Sequence, residues 1–221
     1  MSLQHSINRS RAVAATRRLA QLLLCAAMVA ACATGPKVSQ DAQLGPDGAP
    51  LQVREVPPEA QTLYERAVAV MAAGDYLEAQ IRLQEFLLRY PDYPGAHVNL
   101  AIIFAANGDD TAAEGSITDA LIIDPEHAPA LNQLGMLLRR QGKFPEAEAA
   151  YLKAVTASPE YALAHYNLGV LHELYMRKND AALEDFKRYQ ELGEEDQQVA
   201  KWITDLKRRT GGNRKTANVT E

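Results

Sequence analysis

Pro91, Pro125 and Pro159 stand 34 residues apart, and so do Gly74, Gly108 and Gly142. Ala79, Ala113 and Ala147 keep the same step, as do the small residues Ala67, Ala101, Gly135 and Gly169. Leu100, Leu134 and Leu168 immediately precede three of that last set, whereas the first repeat carries Arg66 there. Several residue columns at one period make the folded part an array of one supersecondary unit, with each copy burying its apolar face on the next.

Each column has a physical task. The small residues fall mid-helix, where a bulky side chain would hold two helices apart. The glycines follow a helix, where a left-handed C-terminal cap needs no Cβ. The prolines end the next helix, because proline cannot donate the following hydrogen bond. Leu83, Ile117, Tyr151 and Phe186 fill the seam between the two helices, with Phe86, Ala120, Ala154 and Tyr189 one turn further on. Apolar residues make up 47% of the chain but aromatics only 6%, a balance that suits close helix packing over a sandwich of sheets. No segment reads as a strand, so the expected fold class is all-α.

A 34-residue helix–turn–helix period with these residue types resembles the tetratricopeptide repeat. The resemblance implies a right-handed solenoid of four helix pairs over residues 59–193, with a capping helix at 194–209 and a disordered tail at 210–221. In the fourth repeat Gly169 and Ala182 lie one step further apart than Gly135 and Ala147, so one residue is inserted there. The turn Arg177-Lys178-Asn179 also lacks its glycine. Val199, Trp202, Ile203 and Leu206 recur at helical spacing, and Trp202 reads as the plug over the last repeat.

Ahead of the repeats lies a different kind of chain. Arg9, Arg11, Arg17 and Arg18 precede an apolar run from Leu19 to Ala31, and no acidic residue occurs before Asp41. That layout is a secretory signal, too short to span a bilayer comfortably. Its end, Val29-Ala30-Ala31-Cys32, resembles the lipobox of bacterial lipoproteins. The resemblance implies removal of residues 1–31, acylation of Cys32, and, with Ala33 rather than aspartate next, residence on the periplasmic face of the outer membrane. Cys25 would go with the signal, leaving no free thiol for catalysis, disulfides or metal. Residues 33–58, punctuated by Gly35-Pro36, Gly45-Pro46 and Pro57-Pro58, read as a tether with a reach of about 30 Å.

The sequence offers little chemistry. A formal charge of -5 argues against a general nucleic-acid binder, which needs a basic stripe. His172-Glu173 begins like a zinc-protease motif, but the fourth residue after His172 is Met176. His97 and His165 share a column with Leu63 and Leu131 and read as packing residues. Asp109-Asp110 reads as a helix N-terminal cap. There is no glycine-rich phosphate loop and no nucleophile elbow. The expectation is a non-enzyme without cofactor or metal.

What remains is a surface. First helices line the concave side of such arrays, where partners bind. The helical period places Tyr64, Val68, Met71, Val98, Ile102, Asn132, Met136, Arg139, Tyr166 and Val170 along it. Of these, Tyr64, Val68, Ile102, Asn132, Met136, Arg139, Tyr166 and Val170 are the candidate binding residues for an apolar or amphipathic segment of a partner protein. The layout of lipobox, tether and repeats resembles lipoproteins of type IV pilus biogenesis that help secretins assemble. The alternative is a tether or regulator of peptidoglycan-active enzymes. Contact with the membrane is expected through the lipid alone.

Overall fold

The computed structural model of the protein describes residues 57–193 and 195–217. The signal, Cys32 and nearly all of the tether lie outside the described residues. Among those described, every regular element is helical. Four pairs follow one another: α1 (Pro58–Ala72) with α2 (Tyr76–Arg89), α3 (Pro94–Ala106) with α4 (Asp110–Ile123), α5 (Ala128–Arg140) with α6 (Phe144–Ala157), and α7 (Ala162–Val170) with α8 (Asn179–Glu191). The single helix α9 (Gln197–Ala217) completes the array.

The column residues do what their chemistry requires. Gly74, Gly108 and Gly142 adopt φ of +88°, +80° and +76°, ending α1, α3 and α5 in the left-handed region. Asp75 and Asp109 cap α2 and α4 by accepting from the backbone N–H of Glu78 and Ala112 at 3.1 and 2.9 Å. The second helices stop at Arg89, Ile123 and Ala157, each two residues short of its proline.

Between the helices of a pair, size is matched across the seam. Leu83, Ile117, Tyr151 and Phe186 are all buried, and so are the residues of the small column, Ala67, Ala101, Gly135 and Gly169. The two aromatic members stand in the two repeats whose small residue is glycine. A Cβ on Gly135 would lie 2.5 Å from Cε1 of Tyr151, and one on Gly169 2.8 Å from Phe186. The glycines are therefore required by contact rather than by backbone conformation.

The inserted residue of the fourth repeat has a definite form. After Val170 the helix widens into a π-helical turn, Leu171–Tyr175, closed by the Met176 N–H donating to Leu171 O at 3.1 Å. An extra residue absorbed within a helix makes such a bulge. Arg177, standing where the other repeats have glycine, takes φ of +57°, a conformation that costs a residue with a Cβ about 1–2 kcal/mol.

The π turn is held by a charge cluster around the buried His172. His172 Nδ1 lies 2.7 Å from Asp185 of α8, and its Nε2 lies 2.8 Å from Glu148 of α6. Lys178 donates to the same Glu148 at 2.6 Å. Burial by itself would lower the His172 pKa, but hydrogen bonds to Asp185 and Glu148 outweigh it and raise the pKa above the ordinary value. Burial likewise disfavours the Glu148 carboxylate, and the bonds from Lys178 and His172 win, lowering its pKa. The ring is thus an imidazolium donating on both sides, stitching the third repeat to the fourth.

At the end of the array Val199, Ile203 and Leu206 are buried against α8, and Trp202 lies 5.4 Å from Phe186 and 6.3 Å from Tyr166 between ring centroids. Trp202 is the plug the sequence suggests. The helix does not stop at Arg209, however. Thr210 is buried, and α9 runs on, so the tail expected to be disordered from Thr210 is helical as far as Ala217.

Packing generates two predictions and charge a third. Gly135→Ala should destabilise the domain by about 1–3 kcal/mol through overpacking. Gly115→Ala, in mid-α4 with nothing within 4 Å of the added Cβ, should stabilise by about 0.5–1 kcal/mol through helix propensity. Denaturant melts of both variants check this contrast. For His172, whose pKa is raised on folding, the stabilising contribution is complete below the ordinary histidine pKa and is lost as pH climbs through the raised value. Denaturation midpoints taken from about pH 6 to 9, the span that brackets a raised histidine, should therefore fall in the wild type, and His172→Gln should flatten that fall.

Candidate functional site

The first helices pack on one another, α3 on α5 and α5 on α7, which forms the inner layer of the array. The eight candidate residues all lie on this layer, but the structure divides them between packing and exposure.

Most are spent inside the fold. Asn132 is fully buried and accepts from Nδ2 of Asn167 at 3.0 Å, so it braces α5 against α7 and is not open to a partner. Tyr64 is half-buried against Phe86 and Tyr93, with centroids 5.7 and 4.9 Å away, and its hydroxyl accepts from Asn99 at 2.9 Å. Burial raises the Tyr64 pKa. Tyr166 and Val170 pack into the aromatic cluster beneath α9. Ile102 and Val68 are half-buried, Ile102 resting on Val98, Ala120 and Ala130.

Met136 and Arg139 are different. They help line a recess of about 330 Å³ between α3, α4, α5 and the π turn, with Ala101, Ala105, Ile117, Gln133 and Tyr175. Tyr175 stacks on Phe144 at 4.9 Å and is 46% exposed, while neighbouring Leu174 is 65% exposed. The Arg139 guanidinium sits over the Tyr175 ring, 5.8 Å from its centroid, a favourable cation–π arrangement. Arg140 closes one edge. It donates to Ala105 O at 3.2 Å and pairs with Asp110.

Gln133, Arg140 and Tyr175 are absent from the sequence reading. Tyr175 could have been found from the one-residue insertion, because the π turn that absorbs it carries this ring to the recess. Gln133 and Arg140 carry no such signal.

His97 and His165 each bring Nε2 to the carbonyl of the proline six residues earlier, Pro91 at 3.3 Å and Pro159 at 3.1 Å. Among the described residues no group of His, Cys, Asp and Glu is placed to hold a metal ion. No described helix is long and apolar enough to cross a membrane.

Comparison with known proteins agrees with this architecture. The family model described as the tetratricopeptide repeat matches residues 64–128 and 132–198, together more than half of the chain. No curated protein matches the sequence significantly. Among solved structures, PilF of Pseudomonas aeruginosa is similar at 26% identity with a TM-score of 0.62, over 69% of each chain. A thermophilic repeat protein of Thermus thermophilus follows at 22% identity and a TM-score of 0.59, covering 69% of this chain and 83% of that one. MamA of Desulfovibrio magneticus RS-1 shares the fold at 20% identity and a TM-score of 0.55, covering 73% of this chain and 91% of that one. With the period, the paired helices and the size-matched seam in place, the chain belongs to the tetratricopeptide repeat family.

Proposed function

We propose that this protein is a non-enzymatic adaptor, held to the periplasmic face of the outer membrane by lipid on Cys32, that grips a segment of a partner protein in its concave recess. The observation that carries the reading is the recess itself. Met136 and Tyr175 offer partly exposed apolar surface there, on an inner layer whose other large residues are consumed by packing. Lining of this kind takes an apolar or amphipathic helix or extended segment. The lipobox-like run ending at Cys32 supports the anchor, and more than one acyl chain gives lasting attachment. The likeness to PilF, together with the order of lipobox, tether and repeats, supports a role in assembling an envelope complex such as a type IV pilus or its secretin.

Two measurements test this. A photo-crosslinking residue placed in living cells at Gln133, which lines the recess, should capture one protein species, and the same residue at Leu152, exposed on α6, should not. Capture from Leu152 alone would move the binding face to the outer helices and end the recess reading. Separately, Cys32→Ala should shift the protein from the membrane to the soluble fraction after a high-salt wash. Continued sedimentation with membranes would mean that lipid is not the anchor.

A further inference from the structure

Charge is segregated along the chain. The four helix pairs, residues 57–193, carry twenty acidic residues against eleven basic ones. The closing helix α9 reverses the balance, with six basic residues and Asp205 as its one acid. A helix favours cations near its C-terminus, but that preference fades beyond the last turn. Lys201 lies in the second turn of α9, and Lys207 and Arg208 lie near its middle, so the macrodipole does not account for them.

The helix presents these charges outward. Its apolar stripe, Val199, Ile203 and Leu206, is buried against α8, and Trp202 rests on Phe186. On the opposite side Lys201, Lys207 and Arg208 are exposed, around the small residues Thr204 and Gly211, which are exposed as well. Asp205 is already taken, accepting from Arg208 at 2.6 Å and from Arg209 at 2.8 Å. Arg209 in turn reaches Glu173 of the π turn. Lys201 and Lys207 have no counter-ion among the described residues. The surface bordered by Lys201, Thr204 and Arg208 is open rather than enclosed. It cannot engulf a small anion, and with no large apolar side chain standing out it can lie flush on a broad negative surface.

We propose that this outer face of α9 is a second point of contact with the membrane, seating anionic phospholipid headgroups on Lys201, Lys207 and Arg208. It rests on the anchored reading of the chain, and adds to the lipid a contact made by the folded domain itself. The occupant follows from charge and from reach. A plane of phosphates complements a helix whose basic residues are spread rather than converged. The tether of residues 33–58 reaches about 30 Å, so anchoring at Cys32 holds headgroups near the domain at a concentration that makes a weak contact count. The contact is electrostatic alone. An interfacial helix sinks its apolar face into the acyl boundary, and α9 has committed that face to Phe186 and the fourth repeat. The acidic helix pairs are repelled by the same surface, so the contact also sets which end of the array turns toward it.

The test takes the chain from residue 32 onward with Cys32→Ala, so that no acyl chain contributes, and sediments it with vesicles. At low ionic strength, phosphatidylethanolamine vesicles containing about one-third phosphatidylglycerol should bind it about tenfold or more tighter than phosphatidylcholine vesicles. Raising the salt to about 0.5 M should release it. Lys201→Gln/Lys207→Gln leaves the packed face of α9 untouched and should melt like the wild type. It should nevertheless lose about tenfold of the affinity for the anionic vesicles. Equal binding to both vesicles, binding to neither, or a double variant that binds undiminished would overturn the inference. So would salt-sensitive self-association that the double variant loses, without vesicle binding, because the face would then serve the acidic pairs of a second copy. The anchor is decided separately, since a high-salt wash removes whatever α9 holds and leaves Cys32→Ala to report on the lipid. A Cys32→Ala chain that leaves the membrane after the wash but ignores anionic vesicles keeps the lipid anchor and removes only this contact.

Discussion

The distance between the two helices of a repeat is set by one contact, the residue of the second helix that enters the small-residue column of the first. Where that residue is Leu83 or Ile117, alanine is small enough opposite. Where it is Tyr151 or Phe186, only hydrogen will do. Interiors are packed to crystal density, so a seam that gains a ring must lose a methyl elsewhere. The result is helix pairs that hold their spacing while their contents change from aliphatic to aromatic along the array. A polar phenol can then be threaded through the seam at the third repeat without spreading its helices.

The fourth repeat shows the same economy applied to an insertion. A one-residue insertion in the middle of a helix shifts every later side chain by about 100°. Here the shift is confined to five residues by a π turn, and Phe186 still reaches Gly169. Confinement needs support, because a widened turn has weaker internal bonding. His172 provides it by binding carboxylates from the preceding and following second helices. Removing one member of such a set leaves the others uncompensated, which is why these clusters destabilise so strongly when broken.

Much of this was legible in the residues because the period forces it. Gly108, Pro125 and Ala113 each have one physical task, and 34-residue spacing exposes all of them together. The insertion was legible for the same reason, as a single break in a regular count. What could not be read was how inner-face residues divide between packing and exposure. Asn132 and Met136 lie one helical turn apart on the same stripe of α5. One vanishes into a bond with Asn167, and the other lines the recess. That partition depends on residues a full repeat away, which helical periodicity does not see. His172 was hidden similarly. Its partners, Glu148 and Asp185, are remote in sequence, and as a motif it was merely an incomplete metal site.

The amide contacts along the inner layer have a mechanical consequence. Asn99 ties to Tyr64 and Asn167 ties to Asn132, each spanning one repeat junction. At the junction between them the corresponding residues are Val98 and Gln133, and valine has nothing to offer. There the polar link is Arg140, partly exposed and set on the outer edge of the recess, where water competes for it. The polar stitching of the inner layer is therefore uneven, with an amide bond across the first and third junctions and a water-exposed arginine across the second. A guest pressed into the recess would meet at its edge an inter-repeat link that water already reaches, and could replace that water without breaking a buried bond.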